Sequence, residues 1–353
     1  MKKIFNPSLT LFVSFSLMAM MALTGCGKGC AKKGPKLSTE QKEVLKLIPS
    51  GKNILIGLNW EKMQDSPLGE KFKEKIPAEV STFLKDIQGM TLGFTVRGMG
   101  QQPDDVVGVI TGNLNADKLL SELKAQAEKE GQEVVSEDYQ GIQVYTATKD
   151  PTMGIAFVAE KLVVGKKTAV KKVIDLSKGQ GDSVEKDTHL IELLGAVDTR
   201  KMLWAVAIVP EGAIPAGGAG GPGNPMGALA GIKAIDLAMD MSKDLTVDLG
   251  VIAGTPEDAK QMETMANSYK TLFGTSLAQK DPNMGKVLNN LTIGVEGNRV
   301  ALGLQVDQAT VEELSKKAGG PQSPGEPEGM EAPAVPPPPP APSGEEAQGP
   351  SSS

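Results

Sequence analysis

Val106-Val107-Gly108-Val109-Ile110 and Leu249-Gly250-Val251-Ile252 decide the fold, because each is a short apolar run that feeds directly into a helix start. The first leads to Asn115-Ala116-Asp117 and the second to Thr255-Pro256-Glu257-Asp258. Asn and Thr accept hydrogen bonds from free N–H groups of a first helical turn, and Pro fits the first helical position because its missing N–H would have no partner there. Around both runs the same elements recur. Before and after the first run the pattern predicts strands at 53–60, 90–97, 141–148, 154–158 and 161–165, the last two joined by Ala159-Glu160. It predicts helices at 68–87, interrupted by Pro77, from Asn115 with a Leu119, Leu120 and Leu123 stripe as far as Gly131, and at 168–176 as far as Gly179. Around the second run it predicts a strand at 202–209, a helix at 231–241, a strand at 245–253 and a helix at 256–273. A hairpin of 291–295 with 299–306 over Glu296-Gly297-Asn298 and a closing helix at 310–317 follow.

The expected fold class is therefore α+β: two tandem units, 51–197 and 198–318, with mainly antiparallel open sheets and helices packed on one face. Gly212 to Gly231 is a Gly, Ala and Pro-rich loop inside the second unit. From 319 to 353 the chain carries the proline run 336–340, five glutamates and no Lys or Arg. Such a tail has too little apolar area to offset the entropy of ordering and is expected to be disordered.

The N-terminus has a different plan. Lys2 and Lys3 precede an apolar run at 9–22 that contains Thr10, Ser14 and Ser16. That run falls short of the roughly 20 apolar residues a membrane-crossing helix needs, and it ends on small residues that suit a peptidase. Charge, apolar core and then Leu23-Thr24-Gly25-Cys26 resemble the lipobox of bacterial lipoprotein precursors. The resemblance implies that residues 1–25 are a signal peptide removed by signal peptidase II. It also implies that the Cys26 thiol receives a diacylglyceryl group, and that the freed amine is acylated. Two or more acyl chains give stable anchoring where one is marginal. In that class an Asp after the lipidated Cys retains the protein at the inner membrane. Gly27 stands there, so the expected location is the cell envelope, lipid-anchored at the outer membrane and facing the periplasm or surface.

Residues 26–50 read as the tether that follows the anchor: Gly27, Gly29 and Gly34 loosen it, and Lys28, Lys32, Lys33 and Lys36 place positive charge beside headgroups. Cys30 is then left as an unpaired thiol in an oxidising compartment, open to a disulfide between chains. Cys26 with Cys30 makes a poor metal site, because no second pair completes it and lipidation removes one ligand. No cofactor or metal is expected.

Composition narrows the partners. Without residues 1–25 the chain has 35 basic against 43 acidic side chains, a net charge of −8, which argues against nucleic acid. Eight Phe, three Tyr and two Trp leave few stacking platforms.

No catalytic constellation stands out, and the expectation is that the chain is not an enzyme. The single histidine, His189, sits after Asp187 and Thr188 at a helix start and has no nucleophile motif near it. Gly165-Lys166-Lys167-Thr168 lacks the first Gly of a phosphate loop. Asp104-Asp105, Glu257-Asp258 and Glu312-Glu313 are scattered, and Met239, Met241, Met262 and Met265 at helical spacing read as core. Three function classes stay open: a non-catalytic binding or scaffold module for another envelope component, a carrier of an apolar ligand or lipid, and an enzyme with spatially assembled carboxylates. The first is preferred. Strand 106–111 running into Ala116-Asp117-Lys118-Leu119, Tyr139 to Tyr145, and Ala156 to Gly165 are similar to uncharacterised bacterial envelope proteins with duplicated α+β domains. That resemblance implies the same fold and no assigned activity.

Overall fold

The computed structural model describes residues 37–67, 69–70, 73, 84–98, 101–213 and 231–318. The lipobox, Cys30, most of the helix expected at 68–87, loop positions 214–230 and the Pro-rich tail lie outside the described residues.

The fold is α+β and is organised by one antiparallel sheet of twelve strands. In chain order these are β1 (Ile54–Asn59), β2 (Ile87–Thr95), β3 (Asp104–Gly112), β4 (Val134–Tyr139), β5 (Ile142–Ala147), β6 (Asp150–Val158) and β7 (Lys161–Lys166). They continue as β8 (Leu203–Ile208), β9 (Ile232–Asp240), β10 (Leu245–Ala253), β11 (Thr292–Glu296) and β12 (Arg299–Val306). Across the sheet the order is β11-β12-β10-β9-β8-β1-β2-β3-β7-β6-β5-β4. Two open sheets were expected; instead β1 pairs with β8, Ile54 opposite Ala207 through Leu58 opposite Leu203, and fuses both halves. Outward from this seam each half begins with three meandering strands; the hairpin β11–β12 in the second half and the four-stranded meander β4–β7 in the first then dock their last strand on the third.

The helices are α1 (Thr39–Leu47), α2 (Trp60–Gln64), α3 (Ala116–Lys129), α4 (Lys167–Ser177), α5 (Thr188–Leu194), α6 (Pro256–Lys280), α7 (Pro282–Asn289) and α8 (Gln308–Ala318). Caps act where the sequence placed them. Asn115 accepts from the Lys118 N–H, Thr255 from the Asp258 N–H, and Asp187 from those of His189 and Leu190. Ala159 and Glu160 both take left-handed φ, 47° and 62°, the geometry of a two-residue hairpin turn whose twist matches its strands.

Four findings differ from expectation. The helix expected at 231–241 is strand β9. Its Ala, Leu and Met content favours a helix, but pairing on both sides with β8 and β10 overrides that preference. Met239 and Met241 therefore do not share a helix with Met262 and Met265. Within the segment read as a tether, residues 39–47 form α1, opened by a reciprocal capping box between Ser38 and Gln41 and held by buried Val44, Leu45 and Leu47. Strand β4 and helix α7, capped by Asp281 with Pro282 at its start, were not anticipated.

Alternate side chains of a strand point to opposite faces, so the register assigns every residue to a face. One face carries Leu55, Val107, Val109, Val163, Ala156, Val144 and Val206, and these form the main core with α1, α4 and α5. The opposite face carries Val251, Val300, Leu302, Ile293 and Val295, against which α6 lays Ala259 and Met262. Thus α1, α4 and α5 cover one face in the first half and α6 the other face at the far end of the second, while Leu119 of α3, buried at 8 % exposure, belongs to neither cluster.

At the seam Trp204 of β8 lies across Gly57 of β1, where an added Cβ would fall 1.9 Å from the ring. Gly57→Ala is expected to destabilise the chain by about 1–3 kcal/mol through overpacking. Gly294→Ala, with nothing within 4 Å of the added carbon, should leave stability nearly unchanged. Urea unfolding of both variants checks this contrast.

Candidate functional site

Following the registered pairs across the face of the first half opposite α1, α4 and α5 gives a row of side chains perpendicular to the strands. It runs Tyr145, Ile155, Val164, Gly108, Leu92, Ile56 and Ala205, and continues through Leu237, Leu249 and Leu302 to Ile293 under α6. A second row follows Phe157, Leu162, Ile110, Met90, Leu58 and Leu203. A third joins Phe94, Ile54 and Ala207. No charged residue occurs in any of the three.

Beneath the helices the strand side chains are sealed: Leu55, Val107, Val109, Val144, Ala156, Val163 and Val206 are 0 % exposed. On the opposite side Ile54, Ile56, Leu92, Phe94, Ile110, Val164, Ile155 and Phe157 are all only half-buried. None of these eight belongs to a buried hydrophobic cluster. The result, among the described residues, is a continuous apolar strip over β1, β2, β3, β7 and β6, partly exposed and with Leu162 itself buried. An uncharged apolar area of this extent is characteristic of an interaction surface.

Ion pairs fix the strands that carry it. The Lys52 side chain is 0 % exposed, and its Nζ donates to the Asp105 carbonyl at 2.7 Å and the Asp105 carboxylate at 2.5 Å. Burial pushes the Lys52 ammonium below its ordinary pKa, and the Asp105 contact opposes that. For Asp105 burial acts to raise the pKa, but Lys52 and Lys172 outweigh it and hold the carboxyl below the usual range. A similar brace stands in the second half: Lys201 Nζ reaches Asp248 Oδ2 at 2.6 Å and Thr246 Oγ1 at 3.1 Å. Each lysine precedes its half's first strand by two residues and reaches to the third strand. On the face that carries Leu55 and Val206, Arg299 grips Asp236 with two bonds of 2.6 and 3.0 Å across Gly250.

The residues singled out for chemistry do not converge. Leu23, Thr24, Gly25, Cys26 and Cys30 lie outside the described residues. His189 is exposed in the first turn of α5. Lys166 pairs with Asp104 and Lys167 with Glu137, so the Gly165-to-Thr168 segment serves as the junction of β7 and α4. Asp258 caps α6 with Thr255, and Glu313 accepts from Asn283. Among the described residues no group of three or more His, Cys, Asp or Glu could hold a metal ion. No helix of the described residues is long and apolar enough to cross a membrane.

No family model matches the chain. It is 24 % identical over 173 residues to an uncharacterised protein of Methanocaldococcus jannaschii, a match covering 48 % of this chain and 59 % of that protein. The chain thus spans little more than half the length of this relative. Crystal forms III and I of TP0453 match 77 % of the chain at TM-scores of 0.48 and 0.46, each with 10 % identity; the matches cover 97 % and 96 % of those chains.

Acid stability follows from the carboxylates. Burial acts to raise the Asp240 pKa, but the Ser242 hydroxyl and N–H and the Lys62 ammonium overcome it and lower the value from 3.8 to about 2. A carboxyl whose pKa is depressed by folding contributes stability above its unfolded pKa and loses it as pH falls through the folded one. Stability should therefore decline from about pH 4 toward pH 2. Asp240→Asn should make that decline shallower, as measured by urea midpoints across this range.

Proposed function

We propose that the chain is a lipid-anchored envelope lipoprotein acting as a non-catalytic binding or scaffold module, held by Cys26 and binding through the open apolar sheet face. The observation that carries this reading is the set of in-register rows centred on Leu92, Ile56 and Val164, apolar and half-exposed while the other face of the same strands is sealed by helices. At roughly 25 cal/mol per Å² of apolar area removed from water, covering such a face drives association without any polar partner chemistry. The Leu23-Thr24-Gly25-Cys26 motif supports the anchor, and Gly27 supports an outer-membrane location. An anchored chain meets its partners at high local concentration, so a contact of modest affinity suffices.

Two measurements test the reading. Cys26→Ser should abolish incorporation of labelled palmitate and release the chain from the membrane fraction; unchanged membrane association would overturn the anchor. A photoreactive residue at Leu92 should form an adduct with a macromolecule in intact cells, whereas one at sealed Leu55 should not. Adducts with lipid alone would make the chain a carrier of apolar ligands instead.

A further inference from the structure

Helix α6 outruns the sheet it covers. It has 25 residues, about 37 Å, whereas the edge strand β11 beneath it has five residues, about 17 Å. Its first turns lay Ala259 and Met262 on β10, β12 and β11, while Leu277 near its other end packs on Leu288 and Leu291. Around the helix axis Tyr269 and Phe273 lie within about 20° of Met262, and Leu272 lies about 80° to the side away from Leu277. Met262 is sealed at 6 % exposure, yet Tyr269 is 42 %, Phe273 55 % and Leu272 70 % exposed, and the two rings stack at 5.8 Å between centroids. Tyr269 and Phe273 point the same way as Met262 but are open to solvent, so this part of α6 overhangs the sheet.

The topology fixes where the overhang lies. Strand β1 ends at Asn59, beside the first residues of β8 and β10 and the last of β12. Helix α6 starts at the opposite end of β10 and runs back toward this end, where Asn290 after α7 donates to the Gln305 carbonyl. Helix α1 also begins here: Gln41 in its first turn exchanges two bonds, of 2.9 and 3.0 Å, with Thr199, four residues before β8. Because α1 and α6 cover opposite faces, a side chain that points from α6 toward the sheet points, beyond the sheet, to the side on which α1 lies. Leu37, at the entry to α1, is eleven residues after Cys26, about 40 Å when extended. Five strand spacings, about 24 Å, separate β1 from β11.

We infer that Tyr269, Leu272 and Phe273 enter the interfacial layer of the bilayer that holds Cys26, as a second point of attachment. The inference rests on reading Cys26 as a lipid anchor and says how the folded part stands on the membrane, with the Asn59 end of the sheet toward it. Three features select lipid. Tether and ridge share one end and one side of the sheet, and the tether is long enough to let both touch one surface. Three side chains fall well short of the roughly 800 Å² per partner of a stable protein contact, but they suffice to reinforce an anchor already in place. Between Glu263 and Asp281 the sequence has Lys270 and Lys280 and no acidic residue, so no negative charge is brought against headgroups. Aromatic and leucine side chains on one side of a helix are what interfacial helices bury, about 5–10 Å deep.

The test places the full-length lipidated chain in vesicles of phosphatidylethanolamine and phosphatidylglycerol that contain acyl-brominated phosphatidylcholine, which quenches tryptophan on contact. Trp60 and Trp204, 2 % and 5 % exposed, give the unquenched baseline. Phe273→Trp should lose at least half of the emission that the added tryptophan contributes. Leu272→Trp should do the same, and it carries the measurement if the first variant fails to fold. A chain that floats with the vesicles but shows no quenching at either position overturns the ridge contact and leaves the anchor standing. A chain that does not float overturns both. Leu272→Glu added to Phe273→Trp should cut the quenching at least threefold with flotation unchanged, and equal quenching by that chain also overturns the inference.

Discussion

The β1–β8 pairing is the constraint on which the rest of the structure depends. Its register opposes Gly57 to Trp204 and Leu55 to Val206, which puts the tryptophan and both aliphatic side chains on the side covered by α1, α4 and α5. Because side chains alternate with a period of two, a slip of one residue would send that whole set to the other face. The contact of Trp204 on Gly57 guards against the slip. Only a residue without a Cβ leaves room for the indole, and the neighbours Ile56 and Leu58 would not.

From this seam follows the unequal treatment of the two faces. The first half uses helices that succeed β7 to close one side, and the second half uses the helix that succeeds β10 to close the other. Strands shared between two such halves must be apolar on both sides near the seam, since each face is core somewhere along the sheet. The same pattern continues into β2, β3 and β7 on the side where no buried cluster forms. Burial therefore stabilises the fold from one side, while on the other these strands keep apolar side chains that are only half-buried.

Much of this was legible in the sequence. Caps at Asn115, Asp187 and Thr255, the Ala159-Glu160 turn and most strands follow from local chemistry acting over a few residues. What failed locally was decided by distant partners. Residues 232–240 carry good helix formers, and only pairing with β8 and β10 makes them a strand. The open face was also hidden, because Ile54-Leu55-Ile56 and Val106-Val107 are apolar at every position. Such runs read as buried on both sides, and which side lacks a cover depends on where helices far along the chain are placed. The paired braces of Lys52 and Lys201 were equally invisible, since each joins residues about 50 positions apart.

An exposed apolar sheet would invite uncontrolled edge-to-edge growth unless its edges were guarded, and both are. At one edge, β4 follows Glu133 and carries Glu137 and Asp138 within six residues; Glu137 is held by Lys167 and Lys171. At the other, β11 has only five residues and lies against α6. Short or charged edges discourage strand addition. In the binding module proposed above, association would thereby be directed away from the unpaired backbone at the edges and toward the side-chain surface of the face, where shape and area, rather than generic hydrogen bonding, select what binds.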